Sequence, residues 1–565
     1  MERVGSIFTE ILIDAGIDHV FGLPGGATGT LFDGLVDEKD KIRMVLARHE
    51  GGAACMADVY GRITGKPGVL MGQGLWIGTN GGFGIVESCL AGVPMLIICD
   101  VSDYSSLPQF GPYQNAAGEY GAINLPHIMK SMTKYTTYTT NASEFIHGVQ
   151  LAIKHATTGR PGPACVLVNW NAAFSSINPD EANPKYHPIE GYLKTSPPCI
   201  SSSDAEKAAA LLLEAKEPVI VAGTGVHRAK AYAELQELAE LIGLPVATTY
   251  MGKSSIAETH DCALGTMGQI GQKVANATVS EADVIFAIGT CLAPDNTKML
   301  SPDFIDPKRQ KIIQIDIEPL NAGWTFPIEI GITSDLKLAL KEIINSIKNK
   351  PILFDVTKRI EDLKKRKTEA SFFNEDFLNS DSVPIAPERL VKELNDQVGV
   401  DDTVVLDAGN NRMWMAHHFQ TKRAGQLIAA GGAAGVGYGP PASLAAQMLE
   451  PDRRVVGVCG DGGLMMHLYT LEMAMEYELP LTLVVMNNAC LGNVMDFQKP
   501  DRRIATVYPR PKFSEIAKAF GMEGILVEKP EELKPAFDKA LNTSKPVLVD
   551  VVIDDCPHFR IMPKE

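Results

Sequence analysis

Short runs of apolar residues recur along the chain, and stretches with a helical spacing of apolar and polar residues separate them. Continuous apolar runs are typical of strands that are buried on both faces, as in parallel sheets covered by helices. The pattern therefore predicts an α/β protein. The predicted strands are HVFGLPGG, PMLIICDV, ACVLVNW, PVIVAGTG, VIFAIGT, KIIQIDI, TVVLDAG, VVGVCGDGG, LTLVVMNN and PVLVDVVI.

Two stretches interrupt this alternation. Residues 175–204 are rich in Pro, Ser and Asn, and residues 349–387 are first charged and then polar. Such stretches are typical of domain boundaries. They predict three α/β domains of similar size, at residues 1–178, 200–350 and 380–565.

Composition narrows the classes of function. The net charge of −16 disfavours nucleic acid as a partner, because phosphate binding needs clustered Lys and Arg. No stretch approaches the roughly 20 apolar residues of a membrane span, so we expect no membrane partner. Acidic residues near the start argue against a signal peptide. Ten cysteines without a CxxC pair indicate reduced thiols, and we expect a cytoplasmic protein.

The most specific motif lies in the last third of the chain. The predicted strand from Val455 to Cys459 runs into Gly460 and Asp461, and the next predicted strand ends in Asn487 and Asn488. Carboxyl ends of parallel strands meet at one edge of a sheet, where ligands bind. A carboxylate, an amide and a backbone carbonyl offer oxygen ligands to a hard cation and leave positions for a diphosphate and water. The motif predicts a Mg²⁺ site, although either dipeptide alone would be an ordinary turn.

This GDG and NN pattern resembles the signature of the thiamine-diphosphate-dependent enzymes. The resemblance implies that Asp461, Asn488 and the backbone carbonyl of Cys490 bind Mg²⁺. It also implies three doubly wound parallel-sheet domains: pyrimidine-binding, central and diphosphate-binding. The upstream segments at 407–414 and 430–439 resemble the loops that hold the cofactor, and their glycines would let backbone N–H groups approach an anion. The implied cofactor contacts are Gly409, Asn410, Asn411, Met413, Ala434, Val436, Gly462, Gly463, Asn488 and Gly492.

The first third of the chain resembles the family's catalytic segment. ARHEGGAACMADVYGRITGKPGV places a glutamate at Glu50, and GLPGGATGTLFD places a glycine at Gly26, so the resemblance implies that both are catalytic. In this family the glutamate hydrogen-bonds the pyrimidine ring and helps the cofactor lose its C2 proton. Together with GRPGPACVLVNW, these segments are similar to the acetohydroxyacid (acetolactate) synthase-like subgroup. The resemblance to this subgroup implies that the chain forms a homodimer or homotetramer with each active site at a subunit interface.

Some relatives bind FAD or ADP in the central domain. The glycine turn at Gly223 and Gly225, with Arg160 and Asp316, would supply the contacts here. A single glycine turn is a weak signal, and a purely structural role is an equal alternative.

The expected substrate pocket departs from acetohydroxyacid synthase. By alignment, Asp295 replaces an arginine, Phe497 replaces a tryptophan, and Val436 replaces a larger residue. The segment GQGLWIGTN replaces the usual GPGATN loop. His417 and His418 are interpreted as helix packing. The candidate substrate residues are Gln73, Trp76, Gln114, Asn115, Glu119, Asp295 and Phe497.

The sequence therefore predicts an enzyme that acts on a small-molecule carbonyl, as a carboligase or decarboxylase of a 2-oxo acid. A lyase acting on a 2-hydroxyacyl-CoA, sulfoacetaldehyde or a cyclic dione is the alternative. A nucleotide-dependent oxidoreductase would leave Glu50, Asp461 and Asn488 without a purpose. A catalytically inert homologue would be expected to lack at least one of them.

Overall fold

The structure, a computed structural model, describes residues 1–103, 114, 116 and 123–554. The chain divides into two compact units. The first unit comprises Met1–Ser196 and Ala430–Leu449, and the second comprises Pro197–Ala429 and Glu450–Glu565.

The first unit contains a six-stranded sheet in the order β3-β2-β4-β5-β7-β6, in which every pair is parallel. A two-stranded antiparallel pair joins β1 to β8. The strands are β1 (Glu2–Arg3), β2 (His19–Leu23), β3 (Arg43–Leu46), β4 (Gly68–Gly72), β5 (Met95–Val101), β6 (Tyr135–Thr139), β7 (Pro163–Asn169) and β8 (Ser176–Ile177). The helices are α1 (Val4–Asp14), α2 (Thr28–Val36), α3 (Glu50–Thr64), α4 (Gly74–Thr79), α5 (Gly82–Ala91), α6 (Leu125–Met132), α7 (Ala142–Thr157), α8 (Trp170–Ala173) and α9 (Glu190–Leu193).

The second unit contains two further sheets. One has the order β11-β10-β9-β12-β13-β14 and is parallel throughout. Its strands are β9 (Pro218–Ala222), β10 (Val246–Thr248), β11 (Ala263–Thr266), β12 (Val284–Ile288), β13 (Lys311–Asp316) and β14 (Ile330–Thr333). The helices along this part are α10 (Ser202–Glu214), α11 (Thr224–Ala229), α12 (Tyr232–Ile242), α13 (Lys273–Glu281), α14 (Leu336–Lys348) and α15 (Val356–Glu369).

The other sheet of the second unit has the order β16-β15-β17-β18-β20-β19, again parallel. Its strands are β15 (Thr403–Leu406), β16 (Leu427–Ala429), β17 (Val455–Gly460), β18 (Thr482–Asn487), β19 (Glu523–Val527) and β20 (Val547–Val552). The remaining helices are α16 (Pro387–Gln397), α17 (Asn410–His418), α18 (Gly439–Leu449), α19 (Asp461–Met466), α20 (Thr470–Glu476), α21 (Gly492–Met495), α22 (Phe513–Ala519) and α23 (Pro530–Leu541). Of these, α18 belongs to the first unit.

The helices follow from local sequence in the expected way, as α14 illustrates. The side chain of Asp335 accepts a hydrogen bond from the backbone N–H of Leu338 at 3.0 Å and so caps the helix. The buried residues recur at helical spacing and include Leu336, Leu340 and Ile343, which turn one face to the sheet. Polar residues occupy the other face. Periodicity alone therefore fixes which side of this helix is covered.

All ten apolar runs predicted from the sequence contain strands of these sheets. The predicted fold class, three parallel α/β sheets flanked by helices, is confirmed. Among the residues that the structure describes, no helix is both long and apolar enough to cross a membrane.

Candidate active site

The acidic motif and the amide motif meet at one edge of the last sheet. β17 and β18 are neighbouring parallel strands, and Asp461 and Asn488 directly follow their carboxyl ends. The backbone N–H of Ala489 donates to Oδ2 of Asp461 at 2.6 Å, which ties the two strand ends together. The reversal of strand order between β15 and β17 creates a crevice at this edge, the usual place for a ligand in such sheets.

The carboxylate of Asp461 is held by three donors. Besides Ala489, the backbone N–H of Gly462 donates at 2.8 Å and the hydroxyl of Tyr508 donates at 2.9 Å, both to Oδ1. The residue is only 2% exposed, and burial raises the pKa of its carboxyl despite these donors. A cation beside a buried carboxylate stabilises its ionised form more strongly than it would at an exposed position. Tyr508 lies far from the motif in sequence, and nothing in the pattern around it pointed to this contact.

The two asparagines at the carboxyl end of β18, Asn487 and Asn488, make different contacts. Asn487 donates from Nδ2 to Oδ1 of Asp550 at 2.8 Å and to the carbonyl of Pro511 at 2.9 Å, so its side chain fastens the neighbouring segment. Asn488 directly follows β18 and is 8% exposed. Asn488, and not Asn487, is therefore the amide that a ligand at this edge can use.

The residues after β15 complete the same edge. Gly409 has φ of 105°, a conformation that favours glycine, and it immediately precedes α17. A Cβ at Gly492 would lie 3.0 Å from Nδ2 of Asn410 and 3.1 Å from Nδ2 of Asn488, so Gly492 lets these two amides approach each other.

The buried amides of this edge provide a test of fit for a polar ligand. Among the described residues, neither Oδ1 of Asn410 nor Oδ1 of Asn411 has a hydrogen-bond partner, although both side chains are buried. Buried polar atoms without a partner mark a place that a polar group completes. An amide oxygen accepts a hydrogen bond or binds a cation, so these two oxygens fit a ligand that brings a cation such as Mg²⁺, or a donor group, to the edge beside Asp461. Met413 lies one turn further along α17, Gly463 lies in the first turn of α19, and Cys490 is buried beside the edge.

In the first unit, Glu50 is the first residue of α3. His49 caps the helix, since its Nδ1 accepts a hydrogen bond from the N–H of Gly51 at 3.0 Å. Glu50 itself is partly buried, and Nδ2 of Asn80 donates to its Oε2 at 3.0 Å. A helix N-terminus favours a carboxylate, and the amide fixes its direction. The sequence contained Asn80 in the GQGLWIGTN segment but gave no sign of this contact.

Asp100 connects the two other candidate segments of the first unit. Its Oδ2 accepts the N–H of Ala27 at 2.6 Å, and its Oδ1 accepts the N–H of Gly74 at 2.9 Å. Gly26 has φ of 55°, and a Cβ there would meet Oδ2 of Asp100 at 2.1 Å, so only glycine fits. Gln73 precedes α4, which means that the expected loop is in fact a short helix. Asp100 thereby sets the separation of Gly26 and Gln73.

A second buried carboxylate, Glu87, shapes the segment before Val436. Its two oxygens accept the backbone N–H groups of four successive residues at 2.8–3.0 Å. These are Gly431, Gly432, Ala433 and Ala434. The expectation that glycine in this loop frees its N–H groups for an external anion is wrong for these four, because the anion they bind is Glu87. The loop can still present Val436 to a ligand.

Glu87 also belongs to a buried charge network. Nη2 of Arg62 lies 2.7 Å from Glu87, and Nε of Arg62 lies 2.5 Å from Asp58, which also accepts the hydroxyl of Tyr438 at 2.6 Å. Burial alone would raise the pKa of Glu87, but Arg62 and the loop N–H groups outweigh it and lower that pKa. The lowered pKa means that the ionised carboxylate stabilises the folded unit.

We expect Glu87→Gln to destabilise the first unit by about 3–5 kcal/mol at neutral pH, because it leaves buried donors and Arg62 without their anion. Stability from a carboxylate with a lowered pKa is present above its unfolded pKa and is lost as the pH falls through its folded pKa. The difference from the wild type should therefore shrink below about pH 4. Urea unfolding measures the difference in the free energy of unfolding, and hydrogen exchange of the peptide containing residues 431–434 measures the local loss of stability. The exposed Glu206→Gln is the control. Equal stability at pH 7 would contradict the assignment.

Asp103 is a further perturbed carboxyl, two residues beyond β5. It is fully buried, neither of its oxygens has a hydrogen-bond partner among the described residues, and burial raises its pKa to about 6. A raised pKa favours the protonated form in the folded state, so ionisation destabilises the fold as the pH rises through 6.

We therefore expect Asp103→Asn to raise the unfolding temperature at pH 7.5, because the amide removes the buried charge. The gain should shrink as the pH falls from about 6 and disappear near pH 3, below the unfolded pKa of about 3.9, where both states of the wild type hold the proton. Thermal unfolding at the two pH values tests this, with the exposed Asp14→Asn as control. A variant that is less stable at pH 7.5 would show that the charge has a partner.

The central glycines have a structural explanation. The N–H of Gly223 donates to the carbonyl of Ile288, and that of Gly225 donates to the carbonyl of Gly289, both at 2.9 Å. A Cβ at either glycine would come within 2.5 Å of Gly289. Close packing of two backbone segments thus requires both glycines without any nucleotide.

The other two proposed nucleotide contacts also have local partners. Arg160, in the first unit, donates to the carbonyls of Cys89 and Leu90 at 3.1 and 2.7 Å. Asp316, in the second unit, accepts from the N–H of Glu318 at 2.9 Å. These contacts close the end of a helix and a turn, respectively.

The described candidate substrate residues belong to both units. Trp76 is 41% exposed and Phe497 is 88% exposed. Asp295 is exposed and accepts a hydrogen bond from its neighbour Asn296. Gln114 is partly buried, with φ of 51°. Asn115 and Glu119 lie outside the described residues.

Comparison with known proteins gives matches over most of the chain. Residues 2–120 match the family described as "Thiamine pyrophosphate enzyme, N-terminal TPP binding domain". Residues 205–343 match the central domain of the thiamine pyrophosphate enzymes, and residues 407–551 match their C-terminal TPP binding domain.

Several curated proteins are similar along most of their length. A probable acetolactate synthase large subunit of Methanococcus aeolicus is 31% identical over 97% of this chain and 91% of its own length. The acetolactate synthase large subunit of Lactococcus lactis is 29% identical, covering 98% of this chain and 93% of its own. A putative thiamine pyrophosphate-containing protein of Bacillus subtilis is 29% identical, covering 98% and 92%.

Proposed function

This chain belongs to the thiamine pyrophosphate enzyme family, and from that premise we propose that it is a thiamine-diphosphate- and Mg²⁺-dependent carboligase of the acetolactate synthase-like type. It would act on a 2-oxo acid or a related small carbonyl compound. The observation that carries the proposal is the edge where Asp461 and Asn488 meet, beside two buried amide oxygens that have no hydrogen-bond partner among the described residues. Thiamine diphosphate, when bound, supplies the chemistry that makes or breaks a carbon–carbon bond next to a carbonyl.

The second unit would hold the diphosphate end of the cofactor. Asp461, Asn488 and the carbonyl of Cys490 would bind Mg²⁺, and Tyr508 would hold Asp461 in the orientation that the ion needs. Gly409, Asn410, Asn411, Met413, Gly462, Gly463 and Gly492 would surround the diphosphate and thiazolium. In a chain with a net charge of −16, a cation that bridges the diphosphate to the carboxylate removes a large repulsion.

The first unit would supply the proton-handling group. Asn80 holds Oε2 of Glu50, so Oε1 is the oxygen that can share a proton with a ring nitrogen of the ligand. Gly26 would keep the opposite wall free of a side chain, while Ala434 and Val436 would pack against the ligand. The substrate pocket would include five further residues of the first third of the chain: Gln73, Trp76, Gln114, Asn115 and Glu119.

We infer a homodimer or homotetramer in which Glu50 and the metal site of one active centre come from different subunits, as the resemblance of the sequence to the acetohydroxyacid synthase-like enzymes implies. A cytoplasmic location fits the nine described cysteines, which form no disulfide. FAD or ADP in the central domain is the weaker proposal, since Gly223 and Gly225 are required by packing alone.

The acceptor is expected to lack a carboxylate at the position faced by Asp295. A guanidinium at that position would grip a carboxylate through paired hydrogen bonds, whereas the exposed carboxylate of Asp295 repels one. Phe497 also removes the indole N–H that a tryptophan would offer. We therefore expect simple aldehydes to be better acceptors than pyruvate or 2-oxobutyrate.

A competition assay with pyruvate as donor compares the catalytic efficiencies for these acceptors. Asp295→Asn is the informative variant, because it removes the repulsion and should make acceptors that carry a carboxylate relatively more efficient. Fast formation of acetolactate or acetohydroxybutyrate by the wild type, with poor use of aldehydes, would show that the acceptor is a 2-oxo acid. Cleavage of an acyl-CoA, sulfoacetaldehyde or a cyclic dione in a parallel assay would favour the lyase alternative.

A further inference from the structure

Three ionisable side chains converge in the second unit at a place that the proposed function does not use. Glu375 directly precedes a 3₁₀ turn at Asp376–Asn379, and His417 and His418 are the last two residues of α17. All three are buried, with exposed fractions of 6%, 0% and 4%. One ligand atom from each lies within 4.8 Å of the others. Histidine and carboxylate at this spacing are a common ligand set for a metal ion.

The imidazole of His417 is oriented by the backbone. Its Nδ1 lies 2.9 Å from the carbonyl oxygen of Ile270, which can only accept, so Nδ1 carries a proton. In the neutral ring, Nε2 then presents a lone pair to Oε1 of Glu375 at 3.3 Å. Two lone pairs approach this closely only when a cation lies between them, either a proton or a metal ion. Histidines that bind metals commonly donate their other N–H to a backbone carbonyl in this way.

The second histidine lies beside the other oxygen of the same carboxylate. Nδ1 of His418 lies 3.1 Å from Oε2 of Glu375. Four donor atoms, two nitrogens and two oxygens, therefore face one another. Ligand atoms around a tetrahedral zinc ion with bonds of about 2.0–2.1 Å are separated by roughly 3.3–3.4 Å. The two observed separations are close to that value, so an ion can enter with small side-chain movements.

We propose that Glu375, His417 and His418 bind one Zn²⁺ ion, each through one atom of its side chain. Two imidazoles favour zinc or a similar transition metal, whereas Mg²⁺ prefers six oxygen ligands. The site is thus chemically distinct from the Mg²⁺ site proposed at Asp461. This inference stands on the three side chains alone and does not depend on the proposed function.

The position of the ion indicates what it does. It joins the segment that follows α15 to the end of α17, the helix whose first residues are Asn410 and Asn411. The same helix end is held by Gln272, whose Nε2 donates to the carbonyl of His417, and by Thr266, whose hydroxyl donates to the carbonyl of Ala416 at 3.3 Å. A bound ion would therefore fasten one end of α17 while its other end serves the candidate active site.

The test uses the full chain, dialysed against a chelator and then incubated with Zn²⁺ alone. Elemental analysis after gel filtration should give about one zinc per chain, and zinc should raise the unfolding temperature. His417→Gln and Glu375→Gln should each lose the zinc, while the exposed His127→Gln keeps it. Co²⁺ in place of zinc should give the visible absorption of a tetrahedral site in the wild type, a readout that needs no variant to fold.

Two outcomes would overturn the proposal. Wild-type protein that retains no zinc and shows no shift in unfolding temperature would leave a protonated His417 paired with Glu375 as the explanation of the contact. Zinc that is retained equally by His417→Gln and Glu375→Gln would place the ion elsewhere. Activity with thiamine diphosphate is not the readout in either case, so failure of this proposal is separate from failure of the proposed function.

Discussion

Replacing Glu50 by glutamine is expected to slow turnover by about 10²–10⁴-fold, the range that a positioned proton-transfer group contributes. Glutamine keeps the size of the side chain and can still accept the hydrogen bond that Asn80 donates to Oε2. It cannot share a proton with a ring nitrogen of the cofactor. The fold and the binding of thiamine diphosphate should therefore be nearly unchanged, and the loss should appear in kcat.

Steady-state kinetics with the best substrate from a panel of 2-oxo acids and aldehydes, together with calorimetric titration of the cofactor, separates these effects. Glu181→Gln, an exposed position in the same unit, is the matched control. Asn80→Ala should fall between the wild type and Glu50→Gln, because it leaves the carboxylate in place but no longer directed. A Glu50→Gln protein with wild-type kcat would remove Glu50 from the mechanism.

Asp461→Ala should abolish the Mg²⁺-dependent part of thiamine diphosphate binding. The carboxylate is the only charged group among the proposed ligands, and without it the ion cannot bridge the diphosphate to the protein. Tyr508→Phe should have the intermediate effect expected for a residue that orients a metal ligand, about 10–100-fold in metal affinity. A larger loss of cofactor affinity in Asp461→Ala than in Tyr508→Phe would distinguish a metal site from a general loss of packing.

Isothermal titration of thiamine diphosphate, with and without Mg²⁺, measures both variants. Asp452→Ala, an exposed acid in the same unit, should behave as the wild type. Unchanged cofactor affinity in Asp461→Ala would exclude this residue as a metal ligand, whatever the fate of Glu50.

The strands found from the sequence and those missed differ in position within the sheets. The ten recognised strands include β9, β12 and β18, which have neighbours on both sides and are buried along their whole length. Among the described residues, the six edge strands of the three large sheets were all missed. An edge strand such as β6, with the sequence YTTYT, is only partly buried and polar, so it shows no continuous apolar run. The short β10 and the glycine-flanked β4 were missed among the interior strands.

The candidate site was predictable where its residues directly follow recognised strands. Asp461 and Asn488 directly follow their strands and Gly409 lies three residues after β15, so the order of strands alone places them at one edge. Side chains that act across long sequence separations were not predictable. Tyr508 reaches Asp461, Asn80 reaches Glu50, and Glu87 reaches a loop more than 300 residues away. Nothing in local periodicity records such contacts, because they depend on tertiary packing.

Glu87 also shows that a motif can be recognised from sequence while the group bound by its backbone N–H donors is predicted wrongly. The glycine- and alanine-rich segment before Val436 suggested free N–H groups for an external anion, and the structure provides an internal one. A buried carboxylate with an arginine partner, rather than a phosphate, fixes the loop. Sequence pattern identified the conformation of the backbone but not the group that it binds.

The most direct test of the whole account needs no knowledge of the substrate. Exchange of the C2 proton of thiamine diphosphate into deuterated water, followed by NMR, can be measured for the free cofactor and for the cofactor bound to the wild type and to Glu50→Gln with Mg²⁺. We expect the C2 proton of the cofactor bound to the wild type to exchange much faster than that of the free cofactor. On Glu50→Gln we expect the exchange rate to be about 10²–10⁴-fold lower than on the wild type. Exchange on the wild type at the rate of the free cofactor would contradict the assignment of this chain as a thiamine-diphosphate-dependent enzyme that uses Glu50.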